Sequence, residues 1–287
     1  MEIIQIGPDN YEPFEPLLGP DVTVAVRFNT EVFALALVEE QQIYGAIACE
    51  HRDFEIAVRA LYVLPEYRRQ GYGTTLLEAA ADMAAYYDGL EAFTTDFTEA
   101  LDEDNGLKEF FTFAGFELEE DPDTVAYQVT IGDLVEAKGL QVSDIPSQIE
   151  TYSHLTSGER GLLLQEPHPF MPLYVDGGWI EPEASCFLND EYGMLGCVVF
   201  VSGPDDLSLE WVRIDPKASI HLIPMLAFSA RALAAKYPRD KKLIIPVISA
   251  ESHKLVKHLF GDRLELLERS WSGTWNLEDD SAFEDEQ

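Results

Sequence analysis

Gly45 and Pro65 stand 20 residues apart, and so do Gly196 and Pro216. Each pair frames the same succession of residue types. An apolar, β-branched run surrounds the glycine (residues 43–49 and 194–200), a second run leads to the proline (61–64 and 209–215), and a long amphipathic stretch follows, to Tyr87 and to Tyr237. Each half then closes with a strand, a helix and a glycine followed by more strand, around Gly115 and around Gly261. Equal spacing in a common order predicts a duplicated supersecondary unit rather than one large core. A chain of 287 residues has room for two.

Residues 32–39 and 43–50 are apolar and β-branched on either side of Glu39-Glu40-Gln41-Gln42, which predicts a hairpin. Residues 54–64 read as a third strand. Leu76, Leu77, Ala80, Met83, Ala84 and Tyr87 recur at helical spacing, so a helix of about four turns follows. A strand over 90–95, a loop ending at Leu101-Asp102-Glu103-Asp104-Asn105-Gly106, a short helix to Phe113 and strands over 116–120 and 125–131 complete the half. Helices set between strands mark a mixed α/β chain. Residues 133–148 carry no strong element and are expected to link two domains, 1–135 and 136–277. The acidic stretch 278–287 is poor in apolar residues and is expected to be disordered. Residues 8–30 hold Pro8, Pro13, Pro16, Gly19 and Pro20, and the pattern assigns them no shape.

Composition narrows the partners. Nineteen Lys and Arg against 53 Asp and Glu leave a net charge of −34, which repels phosphate backbones and anionic lipid, so neither nucleic acid nor a membrane surface is expected. Residues 1–135 hold 6 cations against 28 carboxylates, whereas 136–287 hold 13 against 25. No apolar run approaches the roughly 20 residues a membrane helix needs, and the N-terminus lacks the basic and apolar regions of a secretory signal, so a cytoplasmic protein is expected. Cys49, Cys186 and Cys197 are too few and too scattered for a disulfide framework or a metal cluster and read as small core residues. Trp179, Trp211, Trp271 and Trp275 also read as core. Pro167-His168-Pro169 reads as a rigid turn, His253 and His258 as helix-surface residues, and no grouping has metal spacing.

The stretch that carries chemistry is Leu61-Tyr62-Val63-Leu64-Pro65-Glu66-Tyr67-Arg68-Arg69-Gln70-Gly71-Tyr72-Gly73-Thr74. A strand ends at a proline, and two arginines and two glycines lead straight into a helix. Glycines let a backbone approach a ligand closely, and the unpaired N–H groups and dipole of a first helical turn favour an anion. Two of the six cations of residues 1–135 are adjacent in this turn. The bland alternative is a tight strand-to-helix turn.

Arg68-Arg69-Gln70-Gly71-Tyr72-Gly73 resembles the Arg/Gln-x-x-Gly-x-Gly/Ala signature of the GNAT N-acetyltransferases. The resemblance extends to Val63-Leu64-Pro65 and to residues 110–117, which look like the family's later helix and Gly-Phe strand start. It implies two tandem GNAT-like domains of α/β (mixed, α+β-like) class, each a mixed, mostly antiparallel sheet with flanking helices. It also implies acetyl-CoA as co-substrate, without a metal, and an amine acceptor. Amides of Gln70, Gly71, Gly73 and Thr74 would hold the pyrophosphate, with Tyr72 in the same turn and Arg68 and Arg69 adding charge. Leu61, Tyr62 and Val63 would pair with the pantetheine arm, and the N–H of Val63 would polarise the thioester carbonyl, the one catalytic role carried over.

The sequence departs from that pattern where the family places its acid and base. The frequent Tyr is Phe111, and the strand carboxylate positions are Arg59 and Ala57. Glu55, His51 and Asp53 are nearby candidates, and Tyr127 reads as core. In the second half Ser219, Leu222 and Pro224 stand where Arg68, Gly71 and Gly73 stand in the first, so phosphate binding is expected to be lost there. The expected activity is acetyl transfer to a small, cationic amine. A non-catalytic acyl-CoA sensor and a purely structural protein remain rivals, and monomer and homodimer both stay open.

Overall fold

The computed structural model describes residues 1–40, 42–101, 106–165, 171–191, 193–203 and 207–277. Along the chain these form β1 (Glu2–Ile6), α1 (Glu15–Leu18), α2 (Pro20–Phe28), β2 (Val32–Glu39), β3 (Gln42–Arg52), β4 (Glu55–Val63), α3 (Tyr72–Ala84), β5 (Ala92–Ala100), α4 (Leu107–Phe113) and β6 (Glu117–Thr130). There follow α5 (Ile131–Glu136), β7 (Ile149–Thr151), α6 (Ser157–Leu163), α7 (Met171–Asp176), β8 (Cys186–Asp190), β9 (Gly193–Ser202), β10 (Leu207–Ile214), α8 (Leu222–Lys236), β11 (Lys242–Ile248), α9 (Ala250–Phe260) and β12 (Glu265–Asn276). The tail over 278–287, Pro167-His168-Pro169 and residues 102–105 lie outside the described residues.

The chain forms two compact units. The first comprises Met1–Glu99, Glu103–Asp121 and Ser270–Gln287, and the second Ala100–Asp102 and Pro122–Arg269. In the first, β1 to β4 pair antiparallel in sequence order, and β4 then pairs parallel with β5 across the α3 connection. One face of this sheet packs on α3 through Ile47, Cys49, Ile56, Val58 and Phe93 against Leu76, Leu77 and Ala80. The other face packs on α1 and α2, where Ala34, Ala36, Ala46 and Ala48 admit Phe14, Leu18, Val22 and Val26. Small residues on one face and large ones on the other let a short helix pair lie close.

The second unit repeats the order. β7, β8, β9 and β10 pair antiparallel in succession, α8 follows a 3-10 turn over Pro216–His221, and β10 pairs parallel with β11. The repeat extends to irregularities. In β4 the register slips between Ala48↔Ala60 and Cys49↔Val58, bulging Arg59, and in β10 between Leu209↔Phe200 and Trp211↔Val199, bulging Glu210. Each bulge lies six residues before the shared proline. The chain thus has the mixed, mostly antiparallel sheets with flanking helices that the sequence implies.

Several expectations need correction. Residues 133–148 are not featureless: α5 starts at a reciprocal cap in which Thr130 and Asp133 satisfy each other's backbone N–H. The strands expected over 116–120 and 125–131 are one strand, β6. His253 is no surface residue, because Tyr127 and Asp123 hold it. Trp179 is 44% exposed and fills no core. The span Pro216–Lys236 is long and apolar enough by composition to cross a membrane, which the sequence reading overlooked. Met225, Leu226, Ala227, Ala230 and Leu233 on that span are buried in the second unit's core. All three cysteines are buried.

Candidate functional site

The site begins where two strands part. The parallel pairing of β4 with β5 runs from Glu55↔Ala92 to Val58↔Thr95 and stops, while β4 continues for five residues to Val63. The bulge at Arg59 redirects the strand at that point. The N–H of Leu64 donates to Tyr44 O of β3 at 3.0 Å, so the N–H of Val63 points the opposite way, into the gap. Opposite Val63 lies Gly45, where a Cβ would come within 2.6 Å of Tyr62 O, so only glycine lets the strand end sit this close.

Pro65–Tyr67 then form one 3-10 turn, and the chain reverses through two left-handed residues, Arg69 at φ 60° and Gly71 at φ 86°. A non-glycine residue is rarely held in this region, and the turn retains one next to the glycine. No side chain caps α3, so the first-turn N–H groups of Tyr72, Gly73 and Thr74 keep their donor capacity. A Cβ on Gly71 would meet nothing within 4 Å, whereas one on Gly73 would press on the Phe110 ring at 3.0 Å. Gly71 therefore serves the turn and leaves space above it, and Gly73 admits α4.

A cavity of about 700 Å³ fills that space. Nine of the ten residues singled out for the coenzyme line it: Leu61, Tyr62, Val63, Arg68, Arg69, Gly71, Tyr72, Gly73 and Thr74. Gln70 does not, and its side-chain amide donates to Glu66 O at 3.2 Å. Arg68 donates from Nε to Val63 O at 3.0 Å and lies over the Tyr62 ring at 5.4 Å, tying the turn to the strand edge. Arg69 reaches Gly106 at the start of α4, its guanidinium 3.0 Å from where a Cβ would stand. Sequence reasoning missed Tyr67, Gly106, Leu107, Glu109, Phe110 and the 82% exposed Phe113, which complete the walls. Two phenylalanines three apart on a short helix, one fully outward, were the available signal.

The other candidates fall elsewhere. Glu55 opens β4, eight residues and roughly 26 Å from Val63, and Asp53 sits with φ 45° in the adjoining turn. His51 stacks on Tyr87 at 4.5 Å and pairs with Glu31 at 3.2 Å. Arg59 is held by Glu50, which also binds Arg52. Phe111 is 2% exposed and packs on Phe97 and Phe116, with no proton to give. Tyr127 is buried, and burial raises its pKa. Among the described residues no group of His, Cys, Asp or Glu could hold a metal. In the second unit the turn is absent: Pro216–His221 run as 3-10 helix directly into α8, with Leu222 and Pro224 in its first turn.

Strand gap, glycine turn and uncapped helix occur together in one segment that matches a known family. Residues 29–118 match the family model for the Acetyltransferase (GNAT) domain. Residues 29–118 therefore form a GNAT-type domain, and the chain as a whole has the fold of tandem GNAT proteins. A tandem GNAT protein from the clavulanic acid biosynthesis pathway superposes with a TM-score of 0.61 at 14% identity, over 96% of this chain and 98% of that one. A GCN5-related N-acetyltransferase from Sphaerobacter thermophilus gives 0.50 at 10% identity, over 96% and 95%. A conserved protein of unknown function from Enterococcus faecalis V583, a probable N-acyltransferase, gives 0.54 at 11%, over 94% and 72%. No curated protein matches the chain.

Proposed function

We propose that the first unit binds acetyl-CoA and transfers its acetyl group to the amine of a small cationic acceptor in the cytoplasm, while the second unit binds no phosphate. The observation that carries this reading is the continuity of one cavity from the uncapped start of α3 to the free edge of β4. The amides of Gly71, Gly73 and Thr74 and the Arg69 guanidinium suit a diphosphate. Leu61 and Val63 suit an amide-bearing arm that pairs as a strand would. The N–H of Val63 then donates to the thioester oxygen as charge develops there, which is catalysis by fixed backbone dipole. Placement of the two reactants supplies the rest of the acceleration. The net charge of −34 favours a cationic acceptor and makes its capture sensitive to salt.

A second reading, an acyl-CoA sensor, is favoured by the buried, proton-free Phe111 and by Arg59 at the bulge. Titrating acetyl-CoA against melting temperature tests both. Saturation near 100 Kd is expected to stabilise the protein by about 2.7 kcal/mol, and Gly71→Glu to abolish the response. A wild-type protein that does not respond overturns both readings. Thiol release on adding amines at two salt concentrations separates them.

A further inference from the structure

By sequence the first unit holds six cations, Arg27, Arg52, Arg59, Arg68, Arg69 and Lys108, among 31 carboxylates. Four of the six are held away from the cavity. Arg52 and Arg59 pair with Glu50 at 2.7 and 3.1 Å, Arg27 lies over Tyr11 and Phe28, and the Lys108 ammonium sits 3.8 Å over the Trp271 ring. Among the described residues, Arg68 and Arg69 are the cavity's cations, and Arg68 already donates from Nε to Val63 O.

The same wall carries a carboxylate. Glu109, in the first turn of α4, lines the cavity, is exposed and makes no hydrogen bond or ion pair with another described residue. A helix start favours a carboxylate on its own account, so its presence alone decides nothing. Its position does. Glu109 stands three residues after Gly106, which meets the Arg69 guanidinium, and residues at that spacing on a helix are about 5–6 Å apart. A phosphate held at Arg69 therefore lies within one Debye length of Glu109, about 10 Å at 0.1 M salt.

The diphosphate of acetyl-CoA carries about two negative charges and its 3′-phosphate about two more near pH 7. The turn amides, the uncapped start of α3 and the two arginines suit the first pair. For the 3′-phosphate the unit offers no further cation, while Glu109 and the surrounding excess of carboxylates repel it. We propose that Glu109 is a specificity-determining residue that turns this cavity against the 3′-phosphate. The carrier whose ribose is unphosphorylated, acetyl-dephospho-CoA, then binds more tightly than acetyl-CoA itself. The proposal rests on the reading that a thioester carrier fills the cavity; Glu109 acts on the carrier's phosphate and touches no reacting atom.

Calorimetric titration of the full chain with each ligand, at low and at high salt, tests this. Acetyl-dephospho-CoA is expected to bind about threefold more tightly at low salt, with the ratio approaching one at high salt. Glu109→Gln should bring the low-salt ratio to about one and Glu109→Lys should reverse it. Glu2→Gln, the same loss of charge on the outer strand β1, should leave it unchanged. Melting temperatures without ligand check that each variant folds. Acetyl-CoA binding as tightly as acetyl-dephospho-CoA or more so at low salt, or a ratio that survives Glu109→Gln or high salt, overturns the proposal and leaves the coenzyme reading standing. If neither ligand binds, the proposal falls together with that reading.

Discussion

A methyl group at position 45 has no room. Its nearest neighbour would be Tyr62 O at 2.6 Å, and at Gly196 the corresponding neighbours are Ile214 Cδ1 at 2.5 Å and Arg213 O at 3.0 Å. Overpacking of this kind typically costs about 1–3 kcal/mol. Gly45→Ala and Gly196→Ala are both expected to lower stability in that range by chemical denaturation, but only Gly45→Ala should also weaken the acetyl-CoA response, because it displaces the edge of β4. The spacing of these glycines was legible in the sequence; the carbonyl that forbids a side chain was not, since it comes from the partner strand. The cysteines are a second case. Burial pushes Cys186 up to about 12 and Cys49 higher still, so neither supplies thiolate at neutral pH. A thiol reagent is expected to label them only as the protein unfolds, and rapid labelling of native protein would contradict their burial.

At the scale of elements, the reciprocal cap of α5 has a pH signature. Burial raises the Asp133 pKa, but its hydrogen bonds with Thr130 outweigh this and hold it below the usual carboxylate value. A carboxylate whose folded pKa is depressed contributes stability above its unfolded value near 3.9 and loses it as pH falls through the folded one. Asp133→Asn is therefore expected to cost about 0.5–2 kcal/mol at pH 7 and progressively less in acid. Equal loss at both pH values would assign the effect to packing. The cap is readable as Thr130-x-x-Asp133, but the helix it starts has only six residues, too few for a helical period to show. The N-terminal helices were illegible for another reason: Pro13, Pro16 and Pro20 lie at or near helix starts, where a missing N–H costs nothing, and not at breaks. β6 contains Asp121-Pro122-Asp123, a turn signal that the strand overrides. By contrast β2, β3, α3 and the glycine turn were legible because each is specified locally, by alternation, helical period or a φ only glycine adopts cheaply.

For the whole molecule, what no local pattern could reveal is that the end of the chain completes its beginning. Ser270–Gln287 belong to the first unit, where Trp275 packs on Phe93 at 5.5 Å and on Phe116 at 6.0 Å. Gly273 presses toward Leu118 and Thr95 in the same unit, and the N–H of Leu277 donates to Glu91 O at 2.9 Å. A fragment over 1–135, cut where the sequence invites a boundary, would leave one side of β5 unpaired and Phe93 and Phe116 without their cover. Such an edge invites association, and the lost aromatic burial removes stability a unit of this size needs. The fragment is expected to aggregate or to melt without a cooperative transition in circular dichroism. In the intact chain, Trp275→Ala should cost about 2 kcal/mol or more and lower the melting temperature with and without acetyl-CoA. A fragment over 1–135 that folds cooperatively and is stabilised by acetyl-CoA would show that the C-terminal strand is dispensable for the site.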